Sequence, residues 1–157
     1  MIHLITQFYK VQYKNQSPEL IRKRQDEITY CLRQNLQYPG VHIHFLYELE
    51  EDVQFFQQEG FSMDQVTLVR LGKRLYYSDV FEYTNRVLPG EICVYLHSDM
   101  CLKQGFEGLV TNKFPDNHVY ALTSHNPKTC NRTVNCNCTR QYWTPRGLFG
   151  VTFDGFV

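Results

Sequence analysis

An acidic motif directly follows a short apolar run, at the point where a buried strand would end. The motif is His97-Ser98-Asp99, and the apolar run covers residues 92–96. A carboxylate in that position lies at the mouth of a sheet, where it can bind a hard cation such as Mg²⁺ or Mn²⁺ through oxygen. His97 and Asp99 are two residues apart and share a side if the strand continues. The structural alternative, which the spacing alone favours, is that Asp99 caps the next turn or helix.

A basic segment precedes a second candidate helix. It holds Gly72, Lys73 and Arg74, and Asp79 follows in the expected first turn. Backbone N–H groups, the helix dipole and the Arg74 guanidinium together suit a phosphate group. A helix with an acidic first turn and solvated flanking charges also accounts for Asp79. Walker-type and G-x-G-x-x-G spacings are absent, which disfavours a P-loop or a conventional dinucleotide site.

The C-terminal part of the sequence holds further candidates. Three cysteines and two preceding histidines could bind zinc, pair or remain free, namely Cys130, Cys136, Cys138, His118 and His125. Their spacing departs from the usual zinc pattern and favours free thiols. Asp154 follows an apolar run and could act as a base at the mouth of a sheet, or could lie in a turn before Gly155. The remaining cysteines, Cys31, Cys93 and Cys101, are interpreted as buried thiols.

Alternating apolar segments predict the elements that would position these residues. Strands are predicted at residues 2–8, 41–47, 66–69, 92–96, 119–123 and from 148 onward, and residues 124–147 are predicted to form a loop. Helices are predicted after Ser17-Pro18, within residues 48–60, over residues 77–88 and over residues 105–113. This order predicts an α/β fold with a mainly parallel sheet covered on both faces. Such sheets bind ligands at the carboxyl ends of their strands, near the point where the strand order reverses.

Composition narrows the function classes. The chain has 157 residues and a formal net charge of zero, so a broad surface for nucleic acid or anionic membrane is disfavoured. Apolar residues make 43%, which excludes global disorder, and the 15% of aromatic residues suits a packed core or a site that stacks flat rings. No signal peptide or membrane span is recognised, which predicts a cytoplasmic protein. His42 and His44 share one face of a predicted strand and are interpreted as structural.

Taken together, the motifs resemble the small GT-A-type glycosyltransferase-like proteins of microbes and large DNA viruses. The matching segments are Ile5-Thr6-Gln7-Phe8-Tyr9, Arg24-Gln25-Asp26-Glu27-Ile28, Cys31-Leu32, Lys73-Arg74-Leu75 with Tyr77 and Asp79, His97-Ser98-Asp99-Met100, and Ala121-Leu122-Thr123. The ordered set runs from residue 2 to about residue 124. It departs from the family pattern at His97, Ser124 and His125, where the family usually has Asn, Arg and an aromatic residue.

The resemblance implies a GT-A-type, Rossmann-like sheet that binds a nucleotide-diphosphate sugar, in particular a UDP-sugar. The implied donor-binding residues are Thr6, Gln7, Tyr9, Arg74, Asp79 and Ser98, and the implied Mn²⁺ or Mg²⁺ ligands are Asp99 and His97. Tyr9 would stack on the base, and Arg74 would meet the diphosphate. Asp154 is the implied candidate for the catalytic base or a stabiliser of the intermediate.

We therefore expect a single domain over residues 1–157, shorter than family members and truncated at its C-terminus or minimal. Its expected activity is metal-dependent transfer of a sugar from the nucleotide to a glycan or glycoprotein acceptor. The alternative is a non-catalytic nucleotide-sugar-binding or interaction module that keeps the fold. A zinc-stabilised interaction domain built on the late cysteines is a further alternative.

Overall fold

The structure is a computed structural model that describes residues 1–102 and, for residues 143–144 and 147–148, the backbone alone. The chain divides into two units, Met1–Thr111 and Asn112–Val157. The first unit carries a sheet of four strands, which are β1 (Ile2–Thr6), β2 (Val41–Tyr47), β3 (Val66–Arg70) and β4 (Ile92–Tyr95).

The strand order is β3-β2-β1-β4, and all three ladders are parallel. The chain moves outward from β1 through β2 to β3 and then crosses to the other side of β1 to form β4. The order therefore reverses between β1 and β4. This topology confirms the predicted α/β character and the parallel sheet, and each strand matches a predicted apolar segment to within about two residues at either end.

Three helices connect the strands, namely α1 (Pro18–Leu36), α2 (Glu50–Gln58) and α3 (Tyr77–Val87). The Ser17 hydroxyl accepts a hydrogen bond of 3.3 Å from the amide of Leu20, and Pro18 takes the first helical position, so the predicted start of α1 is confirmed. A short 3₁₀ turn, Met63–Gln65, leads into β3. None of these described helices is long and apolar enough to cross a bilayer.

Each face of the sheet is buried by a different set of apolar side chains. One face carries a cluster of phenylalanines in mutual ring contact, namely Phe8, Phe45, Phe55, Phe56 and Phe61. The other face packs against α3 through Ile5, Leu46, Leu75, Val80 and Tyr83. The two clusters therefore place α2 on one face and α3 on the other, and the Arg33 guanidinium over the Phe61 ring places α1 on the same face as α2. Much of the aromatic content is therefore core.

In the second unit, β5 (Trp143–Thr144) pairs antiparallel with β6 (Gly147–Leu148). The sequence predicts a loop as far as residue 147, and the structure instead has a short hairpin there. The signal for it is weak, because each strand has only two residues and shows no alternation. The predicted helix over residues 105–113 and the predicted strand over residues 119–123 lie outside the described residues.

Candidate functional site

The carboxyl ends of β1 and β4 lie side by side at the reversal of strand order. The amide of Leu96 donates a hydrogen bond of 3.1 Å to the carbonyl of Ile5. The Thr6 hydroxyl donates one of 2.9 Å to the carbonyl of Leu96. We call residues 6–9 and 96–99 the switch-point edge. It brings the predicted Gln7, Tyr9 and Asp99 segments to neighbouring positions, which is where α/β sheets bind their ligands.

Burial alternates along the chain after β1. Thr6 and Phe8 are buried, whereas Gln7 and Tyr9 are half-buried. The Thr6 hydroxyl is already engaged with β4, and Phe8 packs in the phenylalanine cluster. Gln25 of α1 holds the segment in place, because its carboxamide nitrogen donates to the carbonyl of Tyr9 at 3.3 Å and its oxygen accepts from the amide of Val11 at 2.8 Å. Of the three residues implied for the base and ribose, Gln7 and Tyr9 have side chains that solvent reaches.

The first residue of α3 reaches the end of β4. The Tyr77 hydroxyl lies 3.1 Å from Nε2 of His97, and the Tyr77 ring meets the Tyr95 ring edge-on at 5.1 Å between centroids. Burial raises the pKa of Tyr95 to about 12, with the neighbouring Tyr77, Asp99 and Tyr9 adding to the shift. Tyr77 therefore joins the amino terminus of α3 to the switch-point edge. Sequence analysis assigns it no role, since only the packing of α3 over β4 reveals the contact.

Asp99 forms an ion pair with a residue from α1. Arg24 Nη2 lies 2.8 Å from Asp99 Oδ2, and Arg24 Nη1 lies 2.7 Å from Glu27 Oε2. Burial lowers the pKa of Arg24, but the hydrogen bonds and charges of Asp99 and Glu27 raise it by more. The pKa of Arg24 therefore lies above its ordinary value. The guanidinium stays charged and balances the Asp99 carboxylate. Arg24 belongs to one of the segments that resemble the family, but the sequence predicts no function for it. The residue lies far from Asp99 along the chain, so no short motif indicates their contact.

The turn after β4 offers a divalent cation one carboxylate, that of Asp99. Residues 97–100 form a turn closed by a hydrogen bond of 3.0 Å from the Met100 amide to the His97 carbonyl. The Asp99 side chain is 29% exposed, and one of its oxygens meets Arg24. Within residues 1–102 no group of three or more His, Cys, Asp or Glu side chains is arranged to hold a metal ion. These residues fit Mg²⁺ or Mn²⁺ only where one carboxylate suffices and phosphate oxygens and water complete the shell.

The segment before α3 also holds opposite charges together. Lys73 Nζ lies 2.6 Å from Asp79 Oδ1, and the Tyr76 amide donates a hydrogen bond of 2.9 Å to Asp79 Oδ2. Lys73, and to a smaller extent the Tyr76 amide, hold the pKa of Asp79 below its usual value. Asp79 therefore caps α3 with both oxygens engaged. Arg74 is exposed, and no ion pair of its side chain occurs among the described residues 1–102.

A shallow groove of about 370 Å³ lies beside the segment that follows β1. Lys10 and Val11 line it from that segment, Ile21 and Gln25 from α1, and Phe55 from α2. Another depression of about 410 Å³ lies at the C-terminal end of α1, between Arg33 and Phe61. Only the first of the two adjoins the switch-point edge, through the neighbouring Tyr9.

A second polar cluster crosses the opposite, amino-terminal end of the strands. His3 Nδ1 lies 2.9 Å from His44 Nε2, and His44 Nδ1 lies 2.8 Å from the Tyr83 hydroxyl. His42 Nε2 lies 2.7 Å from the Thr67 hydroxyl. Burial and the neighbouring histidines lower the pKa of His44 to about 4, and burial lowers that of His3. We call these residues the histidine network.

No protein-family model, curated protein or solved structure matches the chain. The resemblance to GT-A-type proteins therefore rests on the sequence motifs alone. Several predicted candidates lie outside the described residues, namely Asp154, Cys130, Cys136, Cys138, His118, Ser124 and His125.

Proposed function

We propose that the chain binds a nucleotide-diphosphate sugar at the switch-point edge and acts as a metal-dependent glycosyltransferase of the GT-A type, with a UDP-sugar as donor. The observation that carries this proposal is the reversal of strand order between β1 and β4. Open parallel sheets bind ligands at such a reversal, because the connecting segments diverge there and leave a crevice. Two of the segments that resemble the family, residues 5–9 and 97–100, emerge from these two strands.

The half-buried side chains after β1 suit a nucleoside. Tyr9 offers an aromatic face for the base, and the Gln7 carboxamide can both donate to and accept from a pyrimidine edge. Thr6 supports them indirectly, since its hydroxyl ties β1 to β4. Tyr77 and His97 add a hydroxyl and a ring nitrogen beside the same edge. Ser98, half-buried in the turn, adds a second hydroxyl.

The segment before α3 suits the diphosphate. Arg74 is an exposed cation that can form two parallel hydrogen bonds with phosphate oxygens. The first turn of α3 adds N–H groups and the positive end of the helix dipole. Asp79 keeps this turn in place by capping the helix, so its part in donor binding is to position the segment that carries Arg74.

Asp99, with His97 beside it, would hold Mn²⁺ or Mg²⁺ against the donor phosphates. A cation bound there neutralises the charge that a diphosphate leaving group gains as the glycosidic bond breaks. For Asp99 to contribute both oxygens, Arg24 must release Oδ2, and Glu27 keeps the guanidinium paired when it does. Asp154 remains the proposed base toward a glycan or glycoprotein acceptor.

A second candidate function is a nucleotide-sugar-binding module without transferase activity. The ion pair between Arg24 and Asp99 favours it, because a carboxylate that is already balanced has less need of a cation. In this case Asp99 stays paired with Arg24, and binding needs no metal. Both candidates share the donor site and differ in their dependence on Mn²⁺ and in donor hydrolysis.

The test is calorimetric titration of UDP and UDP-glucose into the full chain, with and without Mn²⁺. We expect Arg74→Ala to weaken UDP binding at least about tenfold, since a charged hydrogen bond to phosphate is lost, and to leave uridine binding nearly unchanged. Arg86→Ala, an exposed arginine in the last turn of α3, is the matched control. Equal losses for UDP and uridine would remove Arg74 from the diphosphate site.

Asp99→Ala separates the two candidate functions. Loss of Mn²⁺-dependent UDP binding, together with release of UDP from a sugar donor by the unaltered protein, supports the transferase. UDP binding that is independent of Mn²⁺ in both proteins, with no UDP release from any donor, supports the binding module. Absence of UDP binding under all conditions contradicts both.

A further inference from the structure

One face of α1 runs along the segment that follows the switch-point edge. Arg24, Cys31 and Asn35 recur at helical spacing and share that face. Arg24 meets Asp99, and Cys31 lies one helical turn before Asn35, where the neighbouring Cys101 thiol and burial raise the pKa of the Cys31 thiol. An ion pair and a thiol pair therefore connect the same helix to two nearly adjacent residues.

Asn35 fixes the backbone on both sides of Cys101. Its carboxamide nitrogen donates a hydrogen bond of 3.0 Å to the carbonyl of Met100. Its carboxamide oxygen accepts one of 2.8 Å from the amide of Leu102. Asn35 is only 2% exposed, so water cannot replace either bond at low cost. Cys101 is thus held against α1 with its thiol beside that of Cys31.

We propose that Cys31 and Cys101 are a redox-sensitive pair that closes to an intramolecular disulfide by exchange with a low-molecular-weight disulfide such as oxidised glutathione. Asn35, one helical turn from Cys31, fixes the backbone on both sides of Cys101, so closure needs little rearrangement of the fold. Cys101 is half-buried and Cys31 is buried, so the incoming disulfide meets Cys101 first. The proposal does not depend on the proposed function.

The exchange proceeds in two steps. The Cys101 thiolate attacks one sulfur of oxidised glutathione, a mixed disulfide forms, and one glutathione thiolate leaves. The Cys31 sulfur, after losing its proton, then attacks the Cys101 sulfur, the second glutathione leaves, and the protein disulfide is complete. The two protons of the protein thiols end on two molecules of reduced glutathione. Two protein thiols are oxidised and one glutathione disulfide is reduced, so electrons and atoms balance.

Closure would tie the segment after β4 to α1 by a covalent bond. Asp99 lies on that segment two residues before Cys101, and its ion pair with Arg24 is part of the same contact. The oxidised form would therefore hold the turn at residues 97–100 more rigidly than the reduced form.

The test is disulfide mapping of the full chain equilibrated at a series of ratios of oxidised to reduced glutathione. Trypsin places Cys31 in a peptide of residues 25–33, and both Cys93 and Cys101 in a peptide of residues 87–103. A Cys93→Ser variant removes that ambiguity. We expect a linked peptide pair in the unaltered chain and in Cys93→Ser, at a fraction that rises with the ratio, and none in Cys101→Ser.

Thermal unfolding provides the second measurement. Oxidised Cys93→Ser should unfold at a Tm higher by about 5 °C or more than its reduced form, because the cross-link closes a long loop in the unfolded chain. Cys101→Ser should show no such rise. Glutathione adducts alone, a link from Cys31 to another cysteine, or free Cys31 at every ratio in the folded Cys93→Ser protein would each overturn the proposal.

Discussion

Each end of the sheet holds a polar cluster. The side chains of one cluster are neutral, whereas those of the other are charged and paired. At the amino-terminal end, the histidine network connects rings of β1 and β2 to Tyr83, and burial lowers the pKa of His44 to about 4. At the carboxyl end, Arg24 faces Asp99, and Lys73 faces Asp79, so full charges are kept in pairs. The same strands therefore carry a neutral network at one end and ion pairs at the other.

The proton positions in the histidine network follow from one contact. The Glu91 carboxylate lies 3.7 Å from His3 Nε2 and favours the proton on that nitrogen. Neutral His3 then accepts at Nδ1 from His44 Nε2, and neutral His44 accepts at Nδ1 from the Tyr83 hydroxyl. Both ring nitrogens of His44 are used, so His44 itself has no hydrogen-bonding atom left for a ligand.

The ion pair between Arg24 and Asp99 differs in that solvent reaches both of its partners. Arg24 and Asp99 have side-chain exposures of 31% and 29%, so an incoming phosphate or cation can reach either partner. Under the proposed function, the amino-terminal cluster contributes to stability and the carboxyl-terminal cluster binds the ligand. Variants in one cluster should therefore leave the property assigned to the other cluster unchanged.

Acid should destabilise the protein through the histidine network. The pKa of His44 lies at about 4 in the folded chain and near 6.5 in the unfolded chain, so the unfolded chain binds more protons between these values. The free energy of unfolding therefore falls as the pH drops from 6.5 towards 4, by roughly 3 kcal/mol for this group. Urea unfolding at a series of pH values measures it.

His44→Gln keeps an amide beside His3 and Tyr83 but has no proton to gain in this range. We expect a lower stability at pH 7 and a clearly weaker loss on acidification than in the unaltered protein. A His44→Gln variant with an unchanged pH slope would show that other groups cause the acid sensitivity and would break the comparison.

Tyr83→Phe should lower stability without affecting the switch-point edge. The change leaves His44 Nδ1 buried without its donor, which costs about 1–3 kcal/mol. Tyr13→Phe, at a tyrosine that is 42% exposed, is the control and should change the free energy of unfolding by less than about 0.5 kcal/mol. A loss of UDP binding in folded Tyr83→Phe would contradict the separation of the two ends.

Local signals in the sequence are sufficient to predict the helices and strands, but not the contacts between residues that are distant in the chain. Ser17 and Pro18 mark the start of α1 because a cap and a fixed φ act within a few residues. The apolar runs identify all four strands of the parallel sheet for the same reason. The order of those strands follows only in part, since periodicity predicts a parallel sheet and leaves open which strand lies at its edge.

Contacts between distant segments carry no local signal. Arg24 meets Asp99, and Tyr77 meets His97, only because α1 and α3 pack against opposite faces of one sheet. Asp79 is the opposite case. An aspartate in the first turn of a helix is a local pattern, and an acidic first turn is the structural alternative that the sequence offers for Asp79.

The smallest effect is expected for the ion pair at the switch-point edge. A double-mutant cycle of Arg24→Gln and Asp99→Asn should give a coupling free energy of about 1 kcal/mol or less, because partly exposed ion pairs contribute little to stability. Chemical unfolding of the four proteins measures it, and the Tyr83→Phe loss should exceed it. A coupling above about 2 kcal/mol would mean that the pair holds the segment after β4 in place. In that case Asp99 would be a structural residue, and Arg24 could not release it to a cation without loosening the fold.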